Sequence, residues 1–214
     1  MTLYRVCWGI SYALARIAFR LRVEGREHIP KRGGVVIAGN HVSYADPVLI
    51  GVAAKRELSY VTKRDVFPIP VLGWLLRNVN AIPIDRSRGD RGAMAAIEGR
   101  LSAGGAMFFF PEGTRNKAPG LLRPKAGVGM MIHRTSVPVV PTHISGTVNV
   151  WKNLVGLRRV VVRFGRPIQF NPDRLPLRRR DAYQSISCEV MRKIGELGKE
   201  KSDVDPVAPA HDNS

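Results

Sequence analysis

Short runs of β-forming residues alternate with longer apolar or amphipathic stretches along the chain from residue 33 onward. GGVVIAG is followed by PVLIGVAAK, LSYVTK by PVLGWLLR, NAIPI by RGAMAAIEGRLS, and AMFFF by GVGMMIHRT, with VPVVPTHI closing the series. Such alternation predicts an α/β fold: a single domain with a mostly parallel central sheet flanked by helices. VVIA and MFFF lack polar alternation, as strands buried on both faces do. A further strand is expected within RRVVVRFGRPIQF, and a polar helix from about Arg180 to Lys199.

Ahead of this series, residues 3–22 read LYRVCWGISYALARIAFRLR. Leu3, Val6, Ile10, Leu14, Ile17 and Leu21 recur at helical spacing, and Arg5, Arg16 and Arg20 fall roughly on the other side. With Trp8, Tyr12 and Phe19 added, the segment reads as an amphipathic membrane-interfacial helix. It reads equally as a helix capping the domain's own core. A secretory signal is a third reading, from the short apolar run before Ala13-Leu14-Ala15, although the stripe continues past that point with unchanged period. The apolar stretch from Val6 to Ala15 is well short of the ~20 residues a spanning helix needs. The expected division is an amphipathic helix over 1–22, a single α/β domain over 23–199 and a disordered tail over 200–214, where charges and prolines replace large apolar residues.

Charge changes the picture. The 214 residues carry 34 Lys plus Arg against 17 Asp plus Glu, a net +17. An excess of that size calls for nucleic acid, or for an anionic membrane surface bearing phosphorylated substrates. No nucleic-acid module or interleaving of aromatics with the basic runs is present, so no nucleic acid is expected, although a non-catalytic basic binder stays as the rival class. Cys7 and Cys188 match no metal spacing, and the five histidines form no HExxH or similar pattern, so no metal or cofactor is expected.

Polar clusters sit just after the strands: Asn40-His41 after VVIAG, Lys63-Arg64 after SYVT, Asp85-Arg86 after AIPI, and Glu112-Gly113-Thr114-Arg115 after MFFFP. Open α/β sheets bind ligands outside the carboxyl ends of their strands, so the four clusters are expected to converge. His41 and Asp46 lie five residues apart. On a regular helix their side chains point about 140° apart, and they cannot pair. Pro47 disfavours helical geometry at Asp46 and suits a first helical turn, so the pair flanks a turn in which the carboxylate can reach the imidazole. A carboxylate on one ring nitrogen leaves the other as a base for a hydroxyl. The alternative is an N-cap aspartate beside an ordinary loop histidine.

Gly113, Thr114 and Arg115 offer an amide, a hydroxyl and a guanidinium, the donors a phosphate monoester needs, or else an ordinary polar turn. Glu112 would repel a phosphate and is expected to orient Arg115 or a backbone amide. No serine or cysteine sits in a nucleophile-elbow sequence, which leaves base-assisted transfer to a hydroxyl. The apolar run VFPIPVLGWLL, residues 66–76, reads as a core helix, a surface loop or an acyl-chain groove.

NHVSYADP at 40–47, IPIDR at 82–86, FPEGTR at 110–115 and VPVVP at 137–141, in that order, resemble the four motifs of the glycerolipid acyltransferases. The likeness extends over roughly residues 23–168 and is greatest to the 1-acylglycerol-3-phosphate acyltransferases. It implies acyl transfer from a thioester donor, acyl-CoA or acyl-carrier protein, to the free hydroxyl of a lysophospholipid acceptor, 1-acylglycerol 3-phosphate, giving phosphatidate. Glycerol 3-phosphate, another lysophospholipid or another polar lipid is the alternative acceptor. By position the resemblance makes His41 the general base and Asp46 its partner. It assigns Arg86, Gly113, Thr114 and Arg115 to the acceptor's phosphate, with Glu112 supporting and Lys63 a further candidate. Pro138 and Pro141 would line the acyl-donor side. Val42 and Ala45 are small where these motifs often carry bulkier residues, which bears on selectivity. The expected location is peripheral, on the cytoplasmic face of the cell membrane.

Overall fold

The computed structural model of the chain describes residues 2–85, 90–116, 118–148, 159–171, 175 and 177–199. The expected tail, 200–214, and Arg86 lie outside the described residues. In chain order the elements are α1 (Thr2–Ala18), β1 (Arg22–Glu24), β2 (Val35–Gly39), α2 (Asp46–Ala54), β3 (Leu58–Lys63), α3 (Pro70–Asn78), β4 (Ala81–Ile84), α4 (Arg91–Ser102), β5 (Ala106–Phe109), α5 (Ala126–Thr135), β6 (Val139–Ser145), β7 (Val161–Phe164) and α6 (Arg179–Lys199).

The strands form one sheet in the order β1-β7-β6-β2-β5-β3-β4. The run from β6 to β4 is parallel throughout, β7 is antiparallel to β6, and β1 is parallel to β7. The parallel part is the part that the alternating runs predict. β1 is too short and too charged, as Arg-Val-Glu, to show a strand period. Within RRVVVRFGRPIQF only Val161–Phe164 forms the strand, and Ile168 returns as an isolated antiparallel bridge to Val139.

Alternation along β2 divides the core into two layers. Val35 and Ile37 pack with Leu49, Ile50 and Ala53 of α2, while Val36 and Ala38 pack with Ile97 of α4, Met131 of α5 and Ile186 of α6. α2 is buried on most sides because α1 covers the side that the sheet does not, which explains its nearly uniform apolar sequence. α5 and α6 meet closely at Gly129, where a methyl group would come within 1.9 Å of the Tyr183 carbonyl oxygen. The amide of Gly129 donates to Oγ of the buried Ser187 at 2.9 Å across the same contact.

Of the aliphatic stripe of α1, the side chains of Leu3, Val6 and Leu14 lie outside the described residues, and Ile10 and Ile17 turn away from the core. Ala15 is buried and Trp8, Tyr12 and Phe19 lie against the core, whereas Ile10 and Ile17 are 59% and 81% exposed. Leu21, just past the helix, turns inward and is buried. The helix therefore caps the core with its aromatic side and shows aliphatic residues outward. α3 also carries apolar residues outward, with Val71 at 79% and Trp74 at 52% exposure beside Leu72. Thus 66–76 is not a core helix, although Gly73 within it is buried. α2 and α3 follow crossovers that run in the same direction along the sheet, and right-handed connections put both on the face that α1 covers. Among the described residues no helix is long and apolar enough to cross a membrane.

β2, β5, β3 and β4 are neighbours in the sheet and parallel, so the loops that leave their carboxyl ends emerge side by side. Three of the four polar clusters are thereby placed along one edge, together with the start of the fourth at Asp85.

Candidate active site

Asn40 directly follows β2 and fixes where the next residue goes. Its buried side-chain amide donates to the Ile144 carbonyl at 3.0 Å and accepts from the Ile144 amide at 2.8 Å, filling both backbone groups of one β6 residue. The chain then turns through His41-Val42-Ser43 and enters α2 at Asp46, with Pro47 in the first turn. Asp46 is fully buried, and its carboxylate does not cap its own helix. It folds back instead: Oδ2 accepts from the amides of Val42 and Ser43, each at 2.7 Å, and lies 3.0 Å from Nδ1 of His41. An oxygen that accepts two amide protons accepts from the ring as well. Nδ1 therefore carries the ring proton, and Nε2 keeps its lone pair.

The imidazole is held from other sides too. Its face stacks on Phe110 at 3.7 Å between centroids and 14° between planes, and Phe110 in turn meets Phe108 edge-on at 4.6 Å. The side chain of His41 is 15% exposed, enough for one edge to reach a substrate. The His41 amide donates to Oε1 of Glu112 at 3.0 Å, and the His41 carbonyl accepts from the Asn116 amide at 2.7 Å. Glu112, 2% exposed, spends its other oxygen on the Leu122 amide at 3.0 Å. It thus orients backbone amides, the second of the two roles expected for it, and Arg115 is not its partner.

The loop after β5 is shaped by Gly113, whose φ of +69° lies in the region that glycine alone enters without strain. Its amide already donates to the Phe110 carbonyl at 3.0 Å, which corrects the expectation that this amide is offered to a ligand. A methyl group on Gly113 would meet Lys125, with Cδ at 2.8 Å and Nζ at 3.3 Å. The Lys125 ammonium thus lies beside the loop, where sequence reading did not look for a cation. Thr114 is exposed, and Arg115 reaches back over Tyr44 of the His41 turn. Arg115 donates from Nη2 to the Tyr44 hydroxyl at 2.7 Å.

The remaining candidates divide. Lys63 is exposed at the carboxyl end of β3, in register with Ile84, on the same edge of the sheet as His41. Residues 86–89, Arg86 among them, lie outside the described residues, and the carboxylate of Asp90, which follows them, holds the amide of Asp85, which precedes them. That carboxylate accepts from the Asp85 amide at 3.0 Å, from the Ala93 amide at 2.9 Å as the N-cap of α4, and from Arg64 at 2.8 Å. The Ala93 and Asp85 amides hold its pKa below the usual carboxylate range. Pro138 and Pro141 are not brought to His41. Pro138 precedes β6 at the amino ends of the strands, about six residues' rise, roughly 20 Å, from His41. Pro141 faces a cavity of about 700 Å³ with Gly165 and Leu197, over β7 and the end of α6. Among the described residues no three His, Cys, Asp or Glu side chains come together as a metal site.

A buried carboxylate, an imidazole whose Nδ1 is held on that carboxylate, and a neighbouring loop with a guanidinium and an ammonium thus lie on the same edge of the sheet. The fold and sequence have counterparts. The crystal structure of the 1-acyl-sn-glycerophosphate (LPA) acyltransferase PlsC from Thermotoga maritima superposes with a TM-score of 0.68 at 22% identity, over 93% of this chain and 83% of that one. A 1-acyl-sn-glycerol-3-phosphate acyltransferase of Borreliella burgdorferi is 31% identical over 155 residues, 71% of this chain and 61% of that protein. The chloroplastic LPAT1 of Arabidopsis thaliana, another 1-acyl-sn-glycerol-3-phosphate acyltransferase, is 30% identical over 132 residues, 60% of this chain and 37% of that protein. The chain thus spans less than two thirds of the length of these two curated relatives. Residues 20–145, more than half of the chain and all of the His41 turn and the Glu112–Arg115 loop, match the family model described as Acyltransferase, and the chain belongs to that family.

Proposed function

We propose that the chain transfers a fatty acyl group from an acyl thioester, acyl-CoA or acyl-carrier protein, to the free hydroxyl of 1-acylglycerol 3-phosphate, forming phosphatidate. The observation that carries this reading is the 3.0 Å contact between Nδ1 of His41 and Oδ2 of a fully buried Asp46. Nε2 of His41 takes the proton of the acceptor hydroxyl, whose oxygen attacks the thioester carbonyl. The new ester C–O bond forms as the C–S bond breaks, and the imidazolium returns its proton to the leaving thiolate. Asp46 stabilises the imidazolium between these steps.

The acceptor's phosphate is assigned to Arg115 and Thr114, with Lys63 and Arg86 from the neighbouring strand ends and the Lys125 ammonium alongside. Glu112 supports the site through the His41 and Leu122 amides. Gly113 contributes its turn. The names of the relatives support the choice of acceptor.

The protein acts at an anionic membrane surface, peripherally and on the cytoplasmic face. Ile10 and Ile17 of α1 with Ile69, Val71, Leu72 and Trp74 at α3 are exposed on one face of the sheet. Arg16, Arg20 and Arg77 are exposed along the same helices or just beyond them, the mix of apolar and cationic groups that binds lipid headgroups.

The test is thiol release from a long-chain acyl-CoA, with and without lysophosphatidate, for the wild type and His41→Ala. Release that needs lysophosphatidate and disappears in the variant is expected. Release that is equal with glycerol 3-phosphate, or that persists in His41→Ala, overturns the acceptor or the base respectively.

A further inference from the structure

Tyr44 is 79% exposed, yet its ring is engaged. Cζ of Arg115 lies 3.4 Å from the ring centroid, and Nη2 donates to the phenol oxygen at 2.7 Å. The two residues come from different loops. Tyr44 belongs to the turn that Asp46 holds, and Arg115 to the loop that Glu112 and Asn116 tie to the backbone of His41. Both ends of the contact are thus anchored on the base.

A guanidinium at an exposed position ordinarily samples several rotamers, and fixing it when an anion arrives weakens binding. Stacking removes much of that freedom beforehand, and the bond to the hydroxyl sets the rotation of the guanidinium on the ring. Among the described residues no carboxylate pairs with Arg115, so its charge is oriented and still unneutralised. Tyr44 occupies one of five N–H groups, which leaves enough for a two-point grip on a phosphate monoester.

We propose that Tyr44 is a positioning residue for the acceptor's phosphate, holding the Arg115 guanidinium ready through its ring face and hydroxyl. This rests on the assignment of Arg115 to that phosphate. Tyr44 acts through Arg115 and not on the lipid directly.

Steady-state kinetics with a short-chain lysophosphatidate below its micelle concentration test it, in the wild type, Tyr44→Phe, Tyr44→Ala, Arg115→Ala and the Tyr44→Ala/Arg115→Ala double variant. Unfolding midpoints provide the check on folding. In Tyr44→Ala the KM for the acceptor is expected to rise about three- to tenfold with kcat little changed, and Tyr44→Phe, which keeps the stack, to restore much of it. In the Arg115→Ala background, loss of Tyr44 is expected to add nothing. An unchanged KM in Tyr44→Ala, or an equal rise with and without Arg115, overturns the positioning role. An unchanged KM in Arg115→Ala alone overturns the phosphate assignment itself, and that single variant reports it separately.

Discussion

Glu112 and His41, 71 residues apart in sequence, are joined by a 3.0 Å hydrogen bond from the His41 amide to Oε1 of the buried carboxylate. The loop that bears the cations therefore sets the backbone position of His41, and a change at Glu112 should be felt there. Glu112→Gln puts an N–H donor where one of two backbone amides needs an acceptor. Leaving a buried amide unsatisfied costs about 1–3 kcal/mol, which denaturant unfolding should show. Kinetically, kcat is expected to fall by a larger factor than KM for the acceptor rises. The reverse pattern in steady-state assays places Glu112 in the phosphate site and not behind the base.

Asp46→Asn separates charge from geometry. The asparagine carbonyl can take over the three contacts of Oδ2, so the turn and the ring orientation should survive, as near-wild-type circular dichroism and unfolding midpoint would show. What disappears is the negative charge beside the imidazolium. Turnover is expected to drop on the order of 100-fold or more, with little change in acceptor KM. Near-normal turnover in a folded Asp46→Asn would reduce Asp46 to a clasp for the turn.

How much of this could be read from the sequence depends on the range of the interaction. The His41–Asp46 turn is readable because Pro47 marks the first turn of a helix, which leaves His41 ahead of it; the helix nevertheless starts at Asp46 itself and not after it, as Pro47 alone would suggest. The shared edge of the sheet is readable because each polar cluster directly follows a strand-forming run. Asn40, Tyr44, Lys125 and Asp90 acquire their roles from partners that only the strand order β6-β2-β5-β3-β4, the crossing loops or the start of α4 brings near. No local pattern marks them, apart from the capping position of Asp90 at the start of α4. The N-terminal helix shows a different limit. Its aliphatic stripe and its aromatic stripe both have helical period, so periodicity found the helix without telling which face the core takes. Motif order places Pro138 and Pro141 at the site, but VPVVP at 137–141 covers only the first three residues of β6, at the amino end of a strand whose carboxyl end lies beside His41.

The outward apolar residues of α1 and α3 make a prediction about lipid. Ile17 and Val71, 81% and 79% exposed, contribute little to the core, so Ile17→Asp and Val71→Asp should fold normally. If this face enters the headgroup region, each substitution removes an apolar group worth more than about 1.4 kcal/mol at the interface and should lower partitioning onto anionic vesicles roughly tenfold. Raised salt should weaken binding of the wild type through the exposed arginines. Sedimentation with phosphatidylglycerol-containing vesicles reads both effects. Unchanged partitioning in both variants would move the contact away from this face.

His143 supplies a pH dependence whose sign follows from its surroundings. It lies on β6 directly across from Arg163 on β7, and a methyl group on Gly198 of α6 would meet its Nε2 at 2.7 Å. Burial, and then the charge of Arg163, push its pKa down from 6.5 to about 4. Arg163 is itself engaged by Glu24 at 2.7 Å, so that carboxylate is already committed and does not neutralise a histidinium. In the folded protein the ring stays neutral until about pH 4, whereas in the unfolded chain it takes up a proton near 6.5. Between those values the unfolded state binds the extra proton, and stability contributed by the neutral ring is lost as pH falls. Linkage over that interval corresponds to up to about 2 kcal/mol of the loss between pH 7 and pH 5. Denaturant unfolding of the wild type and His143→Gln at both pH values measures it. The variant is expected to lose less stability than the wild type by about that amount, and an equal loss would show that the ring is already protonated or solvated in the folded state.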